Sequence, residues 1–157
     1  MLFSQKTQAF YDESLTYSSL PEDTITITTE QWLSSLDKIN SGFYLYVEED
    51  TLTPSDTPKP SAFYTFDTET KIWTQTADQV AAEQKEKSSI RLLKAQKQYE
   101  AISNQLSEYQ YVLEDKDFST YTEEEILDLK NKATDYRVAL RAYLKTDGAG
   151  DLPVLEK

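Results

Sequence analysis

The sequence predicts an α+β protein, in which a small N-terminal module of short antiparallel strands plus one helix precedes a C-terminal antiparallel helical hairpin. Three observations support this prediction. Short aromatic and β-branched runs alternate with polar turns in the first 75 residues, as is typical of strands. The second half carries two apolar stripes with alternating spacings of three and four residues. No Gly or Pro interrupts residues 79–113, so one long helix is expected there.

The chain is predicted to begin with a β-hairpin, in which residues 2–4 and 9–11 flank a polar turn. Residues 24–28 alternate strictly between Thr and Ile, and all five are β-branched, which predicts a half-buried strand. Thr28 and Gln31 then have the spacing of a capping box, so a helix is expected to start at this point. Gly42 is suited to end that helix.

The rest of the N-terminal module is predicted to contain a further strand and a second hairpin. Residues 43–47 form the strand, and the acidic residues 48–50 end it. Three prolines in residues 53–61 predict a loop at the edge of the domain. Two aromatic runs, residues 63–66 and 71–74, then form the second hairpin.

Capping boxes also mark the starts of the two C-terminal helices. Thr76 precedes Gln79, and Thr122 precedes Glu125, by three residues each. The resulting domain prediction is an α+β module at 1–75, a helical hairpin at 76–146 and a flexible tail at 147–157.

The two apolar stripes identify the residues that should pack the helices together. An a/d pattern of this kind lays its side chains along one face of a helix. Two arrangements satisfy it, a hairpin within one chain or a four-helix homodimer of two hairpins. The predicted packing residues are Leu92, Tyr99, Ile102, Leu106, Tyr109, Leu113, Ile126, Leu129, Tyr136 and Leu140.

The composition argues against catalytic chemistry. The chain contains no Cys, which excludes thiolate catalysis and Cys metal sites, and no His, the usual general base near neutral pH. Its three Gly residues stand in no phosphate-binding motif. We therefore expect no catalytic residues, no metal and no cofactor, and a protein that is not an enzyme.

The charge restricts the partners. The net charge is −12, and residues 1–75 contain 12 acidic but only 4 basic residues. Such a chain repels nucleic acid and anionic membranes, so neither is expected as a partner. No run of residues is apolar enough to span a bilayer, and the N-terminus does not have the pattern of a secretory signal.

Aromatic residues are the best candidates for binding another protein. The chain contains 11 Tyr, a residue that serves both cores and interfaces because its ring packs while its hydroxyl bonds. Strand aromatics are more often core residues than contacts. The candidate partner-binding residues are Phe10, Tyr11, Trp32, Tyr44 and Tyr46.

Three stretches, in chain order, resemble the bacteriophage tail fibre assembly proteins. The first runs from Phe10-Tyr11-Asp12 through Leu-Pro-Glu-Asp and a β-branched strand to Trp32. The second is the proline-rich loop, followed by the aromatic hairpin that ends near Trp73 and a helix rich in Glu, Lys and Ala. The third, residues 135–140, is similar to the family's Tyr-Arg-x-x-Leu element on the last helix. The chain departs from the family in Asp135 and in lacking a Trp-Pro ending.

This resemblance implies a chaperone that binds the C-terminal region of a phage tail fibre protein stoichiometrically and promotes its folding and trimerisation, without using nucleotide. It implies a location in the bacterial host cytoplasm during phage assembly. Two alternatives stay open. One is a permanent virion component or adhesin at the fibre tip. The other is an interaction module that dimerises through the helical hairpin.

Overall fold

The computed structural model describes residues 1–49 and 51–155, which fall into two compact units, Met1–Val80 and Ala81–Lys157. The predicted α+β class is confirmed, with the strands and one helix before the two long helices. The predicted domain boundary lies a few residues before the end of the first unit. The elements are β1 (Leu2–Ser4), β2 (Ala9–Tyr11), β3 (Thr24–Thr26), α1 (Thr29–Asn40), β4 (Leu45–Glu48), β5 (Thr51–Pro54), β6 (Thr65–Asp67), β7 (Ile72–Thr74), α2 (Ala77–Asp115) and α3 (Glu123–Tyr143).

The first unit is built from small antiparallel sheets. Within its described residues, β2, β1 and β3 form one sheet in that order, while β4–β5 and β6–β7 form two hairpins. In the three-stranded sheet, Phe3 on the central strand lies opposite Phe10 on one side and Ile25 on the other. Phe3 is fully buried, because strands cover both of its edges and α1 packs nearby.

Helix α1 closes the core of the first unit. The predicted capping box is present, since the Gln31 amide donates to Thr28 Oγ1 at 3.1 Å and the Thr28 amide donates to Gln31 Oε1 at 2.9 Å. Trp32 and Ile39, on one face of α1, pack on the core. The buried core residues that they cover are Phe3, Ile27, Leu45 and Leu52.

The proline-rich stretch differs from the prediction. Residues 53 and 54, which were expected to lie in a loop, belong to β5, which pairs with β4 so that Leu52 lies opposite Val47. The strand forms because it buries the Leu52 side chain in the core of the first unit. Pro54 is accommodated because it occupies the last position of the strand. The predicted strands at 43–47 and 63–66 begin two residues later, and Asp50 of the predicted strand end lies outside the described residues.

The second unit contains the predicted helical hairpin. Helices α2 and α3 run antiparallel, as the contacts of Arg141 with Tyr99 and of Lys130 with Gln110 show. The predicted capping boxes of α2 and α3 are both present. The hairpin core consists of Ala95, Ile102, Leu106, Ala133, Leu140 and Tyr143.

Most of the predicted packing residues pack within this hairpin. Ile102, Leu106 and Leu140 are buried in its core, and Ile126 is buried near its tip. Leu113 and Leu129 are half-buried. The residues that pack half-buried around the core include Leu92, Tyr99, Tyr109 and Tyr136.

The segment after α3 contacts the hairpin in a way that the sequence does not predict. Gly148 is buried with a φ of +81°, and its carbonyl accepts hydrogen bonds from the Tyr143 hydroxyl at 3.1 Å and from Arg91 at 3.2 Å. Leu152 packs against the hairpin core. The first residues of the predicted flexible tail therefore lie on the hairpin.

Candidate protein-binding surface

The β4–β5 hairpin separates two apolar layers of the first unit. Side chains of a strand alternate between its faces, and Leu45 and Val47 point into the core that α1 covers. Tyr44 and Tyr46 are offset from them by one residue and lie on the opposite face, against the β6–β7 hairpin. The alternation of apolar residues in this strand thus supplies a second, aromatic layer outside the main core.

Four rings form this layer, which we call the aromatic cluster: Tyr44, Tyr46, Phe66 and Trp73. Phe66 is buried at its centre, with ring centroids 4.5 Å from Tyr44 and 5.8 Å from Tyr46 in stacked geometry. Trp73, its cross-strand neighbour, meets Phe66 edge-on at 5.2 Å. Aromatic pairs in such geometries contribute about 0.5–1.5 kcal/mol each beyond their buried area.

An open cleft of about 360 Å³ lies beside the aromatic cluster. Tyr44, Phe66 and Trp73 form part of its wall, together with Phe43 and Tyr64. Gln8 and Lys59 add polar groups at its edge. A cleft with aromatic walls and a few polar groups suits an apolar side chain of another protein, because the rings provide contact area and the polar groups fix orientation.

Hydrogen bonds hold Tyr44 and Trp73 of the aromatic cluster in place. The Tyr44 hydroxyl donates to the Gln5 carbonyl at 3.2 Å, and Trp73 Nε1 donates to the Thr57 carbonyl at 2.9 Å. Partial burial raises the pKa of the Tyr44 hydroxyl, although hydrogen bonds with Gln8 and Gln5 oppose the rise. The hydroxyl therefore stays a neutral donor at physiological pH.

Two glutamine side chains join the first sheet to β4. The Gln8 amide group accepts from the Leu45 N–H at 2.8 Å and donates to the Leu45 carbonyl at 2.7 Å, as a neighbouring strand would. Gln5 Oε1 accepts from the Val47 N–H at 2.7 Å. The outer edge of β4 is thereby covered, and Tyr44 and Tyr46 are set in position by residues of the β1–β2 turn.

The structure separates the predicted partner-binding residues into three groups. Tyr44 and Tyr46 belong to the aromatic cluster. Phe10 and Trp32 pack half-buried against the core of the first unit, with Phe10 at 5.2 Å from Phe3. Tyr11 meets Tyr17 edge-on at 5.3 Å, and it neither packs on that core nor lines the cleft.

Sequence reasoning missed Phe66, Trp73 and Tyr64 as members of the candidate surface. The predicted hairpin at 63–74 contains a usable signal, because its register sets Phe66 opposite Trp73. What the sequence does not specify is the sheet against which this hairpin packs. The tyrosines of β4 and the rings of β6–β7 come together only in the folded unit.

The described residues contain no group of three or more His, Cys, Asp or Glu side chains that could hold a metal ion. None of the helices in residues 1–49 and 51–155 is long and apolar enough to cross a membrane. Comparison with protein-family models, with curated proteins and with solved structures finds no significant match.

Proposed function

We propose that the protein is a tail fibre assembly chaperone, which binds the C-terminal region of a phage tail fibre protein stoichiometrically and promotes its folding and trimerisation. The aromatic cluster and its cleft are the proposed contact surface. The observation that carries this proposal is the ordered set of three sequence stretches that resemble the family, the second of which contains Phe66 and Trp73 of the aromatic cluster.

The chemistry of the surface is consistent with this role. A long β-rich trimer exposes strand edges and apolar side chains while it folds, because its pairings are non-local and therefore slow. A preformed aromatic cleft can cover such side chains without using nucleotide. Tyr and Trp are well suited to this, since each ring buries a large area with little loss of side-chain entropy.

The charge of the first unit indicates the charge of the fibre segment that would enter the cleft. Residues 1–75 contain 12 acidic and 4 basic residues. Complementary charge speeds association and suppresses wrong partners. We therefore infer basic residues around the fibre segment that enters the cleft, and binding that weakens as ionic strength rises.

Co-expression with the tail fibre protein encoded beside it tests the proposal. Fibre trimer that resists SDS should appear in soluble form only when this chain is present, and the two proteins should co-purify at least transiently. Equal yields of trimer without the chain, together with no complex, would refute it. A complex that persists on purified phage particles in fixed ratio to the fibre would favour the permanent virion component.

A pair of variants tests the contact surface. Tyr44→Ala should weaken fibre binding by about 2 kcal/mol or more, which is roughly thirtyfold in Kd. Tyr121→Ala, in which the changed Tyr is exposed and lies in the second unit, is the matched control and should bind normally. Thermal unfolding of both variants distinguishes the loss of a contact from the loss of the fold. Normal binding by Tyr44→Ala would exclude the cleft.

A further inference from the structure

The cleft beside the aromatic cluster differs in charge from the unit that carries it. Residues 1–75 contain 12 acidic and 4 basic residues. Within the part of the chain that the structure describes, no Asp or Glu lines this cleft, whereas Lys59 does. The cleft is therefore a locally cationic site on an acidic unit, which the total charge of the unit does not predict.

Two of the basic residues of the first unit lie at the cleft or against its wall. Lys59 belongs to the lining, and the Lys38 ammonium lies 4.7 Å from the ring centroid of Phe43, which is itself a wall residue. Among the described residues, neither lysine has a carboxylate within ion-pair distance, whereas Lys71 is paired with Glu48. An ammonium without an anionic partner, next to an apolar wall, can bind a carboxylate that a ligand brings with it.

The backbone around Lys59 is tightly constrained. Pro58 and Pro60 flank it, and the proline that follows restricts Lys59 to extended conformations. The Lys59 N–H donates to the Gly42 carbonyl at 2.8 Å, and Gly42, with a φ of +83°, also lines the cleft. This bond ties the proline-rich loop to the end of α1, so the backbone that carries the Lys59 side chain is fixed at the edge of the cleft.

The polar group opposite the lysine in chemistry, the Gln8 amide, is already fully engaged as a donor. Its nitrogen donates to the Gln5 carbonyl and to the Leu45 carbonyl, each at 2.7 Å. A side-chain amide has two N–H groups, so none is left for a ligand. An anion in this cleft would therefore be recognised through Lys59 and not through Gln8.

We propose that the cleft binds the C-terminal residue of its partner, with a large apolar side chain against the aromatic wall and the α-carboxylate against Lys59. This inference rests on the proposed function, in which the partner is the C-terminal region of a fibre protein. An α-carboxyl group has a pKa of about 3.5, so it is ionised at neutral pH. It exists only once a chain is complete, so the cleft would engage finished fibre chains.

A chain end fits the two chemistries of the cleft better than a continuing segment does. At a C-terminal residue, the side chain and the carboxylate are bonded to the same Cα, so both can enter one small cleft. In an extended segment that continues, the next side chain points to the opposite face. An Asp or Glu next to the apolar anchor would therefore point away from Lys59.

The basic residues that we infer for the fibre segment then lie before its last residue. From the cleft, the fibre chain would pass over the rest of a unit in which acidic residues outnumber basic ones. The fibre end would thus carry one carboxylate at its tip and cations behind it. This order of charges gives the segment a direction as well as an affinity, because the reversed order would place like charges together.

Titration calorimetry of the full chain with two forms of the fibre protein's C-terminal region tests the proposal. One form has its natural free carboxylate, and the other is the C-terminal amide, prepared by chemical ligation and identical in every side chain. The amide should bind at least about tenfold more weakly, because it brings no anion to Lys59. Lys59→Met keeps an unbranched side chain but removes the charge, so this variant should bind both forms with affinities that agree within about twofold.

Lys6→Met is the matched control, because Lys6 is also exposed, lies in the same unit and does not line the cleft. This variant has the same net charge as Lys59→Met and should keep the full difference between acid and amide. Three results would overturn the inference and leave fibre binding intact: equal binding of acid and amide by the wild type, a difference that persists in Lys59→Met, or one that disappears in Lys6→Met. Absence of binding by either form would instead refute the proposed function itself.

Discussion

The two units achieve their stability in different ways. In Met1–Val80, residues distant in sequence make the decisive contacts, such as Gln8 with Leu45 and Tyr44 with Phe66. In Ala81–Lys157, two long helices satisfy their own backbones and meet along one apolar seam, which Leu106 and Leu140 help to form. The first unit depends on side chains that bond the backbone of another sheet. The second depends on a repeating local pattern.

This difference bears on function. Short strands held by side-chain amides create irregular surfaces with clefts, and the aromatic cluster lies on one of these. A helical seam instead buries its apolar residues in a regular row, which leaves charge and small side chains outside. The cleft of the first unit is for this reason the surface proposed for fibre binding.

Core substitutions should have the largest effect on each unit. Phe3→Ala should lower the free energy of unfolding of the first unit by about 3–5 kcal/mol, and Leu140→Ala that of the second by about 2–5 kcal/mol, since both side chains are fully buried. Fluorescence of Trp32 and Trp73 reports on the first unit, which contains both residues. Helical circular dichroism reports mainly on α2 and α3.

Leu33→Ala is the control for these core substitutions, because Leu33 is 56% exposed and should change stability by less than about 0.5 kcal/mol. If Phe3→Ala left the fluorescence transition in denaturant unchanged, the core assignment of the first unit would be wrong.

The contact after α3 is the next most sensitive position. In Gly148→Ala the new Cβ would lie 2.6 Å from the Ser88 carbonyl oxygen, on a backbone with a φ of +81°. We expect a loss of about 2–4 kcal/mol, from steric strain and from the left-handed backbone together. Gly150→Ala has a similar φ of +78° but open space around its Cβ, so thermal unfolding should show a smaller loss. Equal losses would mean that the Ser88 contact is unimportant.

The bridge from Gln8 to β4 should have an intermediate effect. Gln8→Ala removes both side-chain hydrogen bonds to Leu45, and we expect a loss of about 1–3 kcal/mol in urea unfolding followed by Trp fluorescence. Gln84→Ala, on the exposed surface of α2, is a control expected to change stability by less than about 0.5 kcal/mol. The comparison between the units predicts that Gln8→Ala shifts the unfolding transition seen by Trp fluorescence more than the transition seen by helical circular dichroism. A larger shift in the dichroism transition would contradict it.

Lowering the pH should destabilise the first unit by protonating Asp23. The Lys6 N–H and the Ser4 hydroxyl bond its carboxylate and lower its pKa. The pKa of Asp23 is lower in the folded protein than in the unfolded chain, where it is near 3.9. The stabilisation is therefore fully present at pH values above the unfolded-chain pKa, and it is lost as the pH falls through the pKa of the folded protein. Asp23→Asn should therefore reduce the dependence of the unfolding free energy on pH below about 4. An unchanged pH profile would show that these hydrogen bonds are unimportant.

Local signals in the sequence predicted much of this fold. Thr28 with Gln31 and Thr122 with Glu125 identified helix starts, because a capping box needs only residues three apart. β5 was missed because Pro54 and its Thr-rich surroundings resemble a loop, and only pairing with β4 reveals the strand. Likewise, Tyr44 and Tyr46 could be proposed as contacts, but their partners Phe66 and Trp73 depend on which two hairpins pack together.

The most direct test of fibre binding at the aromatic cluster uses Trp73 as a probe. In the Trp32→Phe variant, Trp73 is the only tryptophan, and it lines the cleft. Titration with the C-terminal region of the fibre protein should change its emission in a saturable way, with a stoichiometric end point. In Trp73→Phe, where Trp32 is the remaining probe in the core, binding should change the emission much less. Tight binding that leaves the emission of Trp73 unchanged, or no binding at all, would contradict the proposed contact.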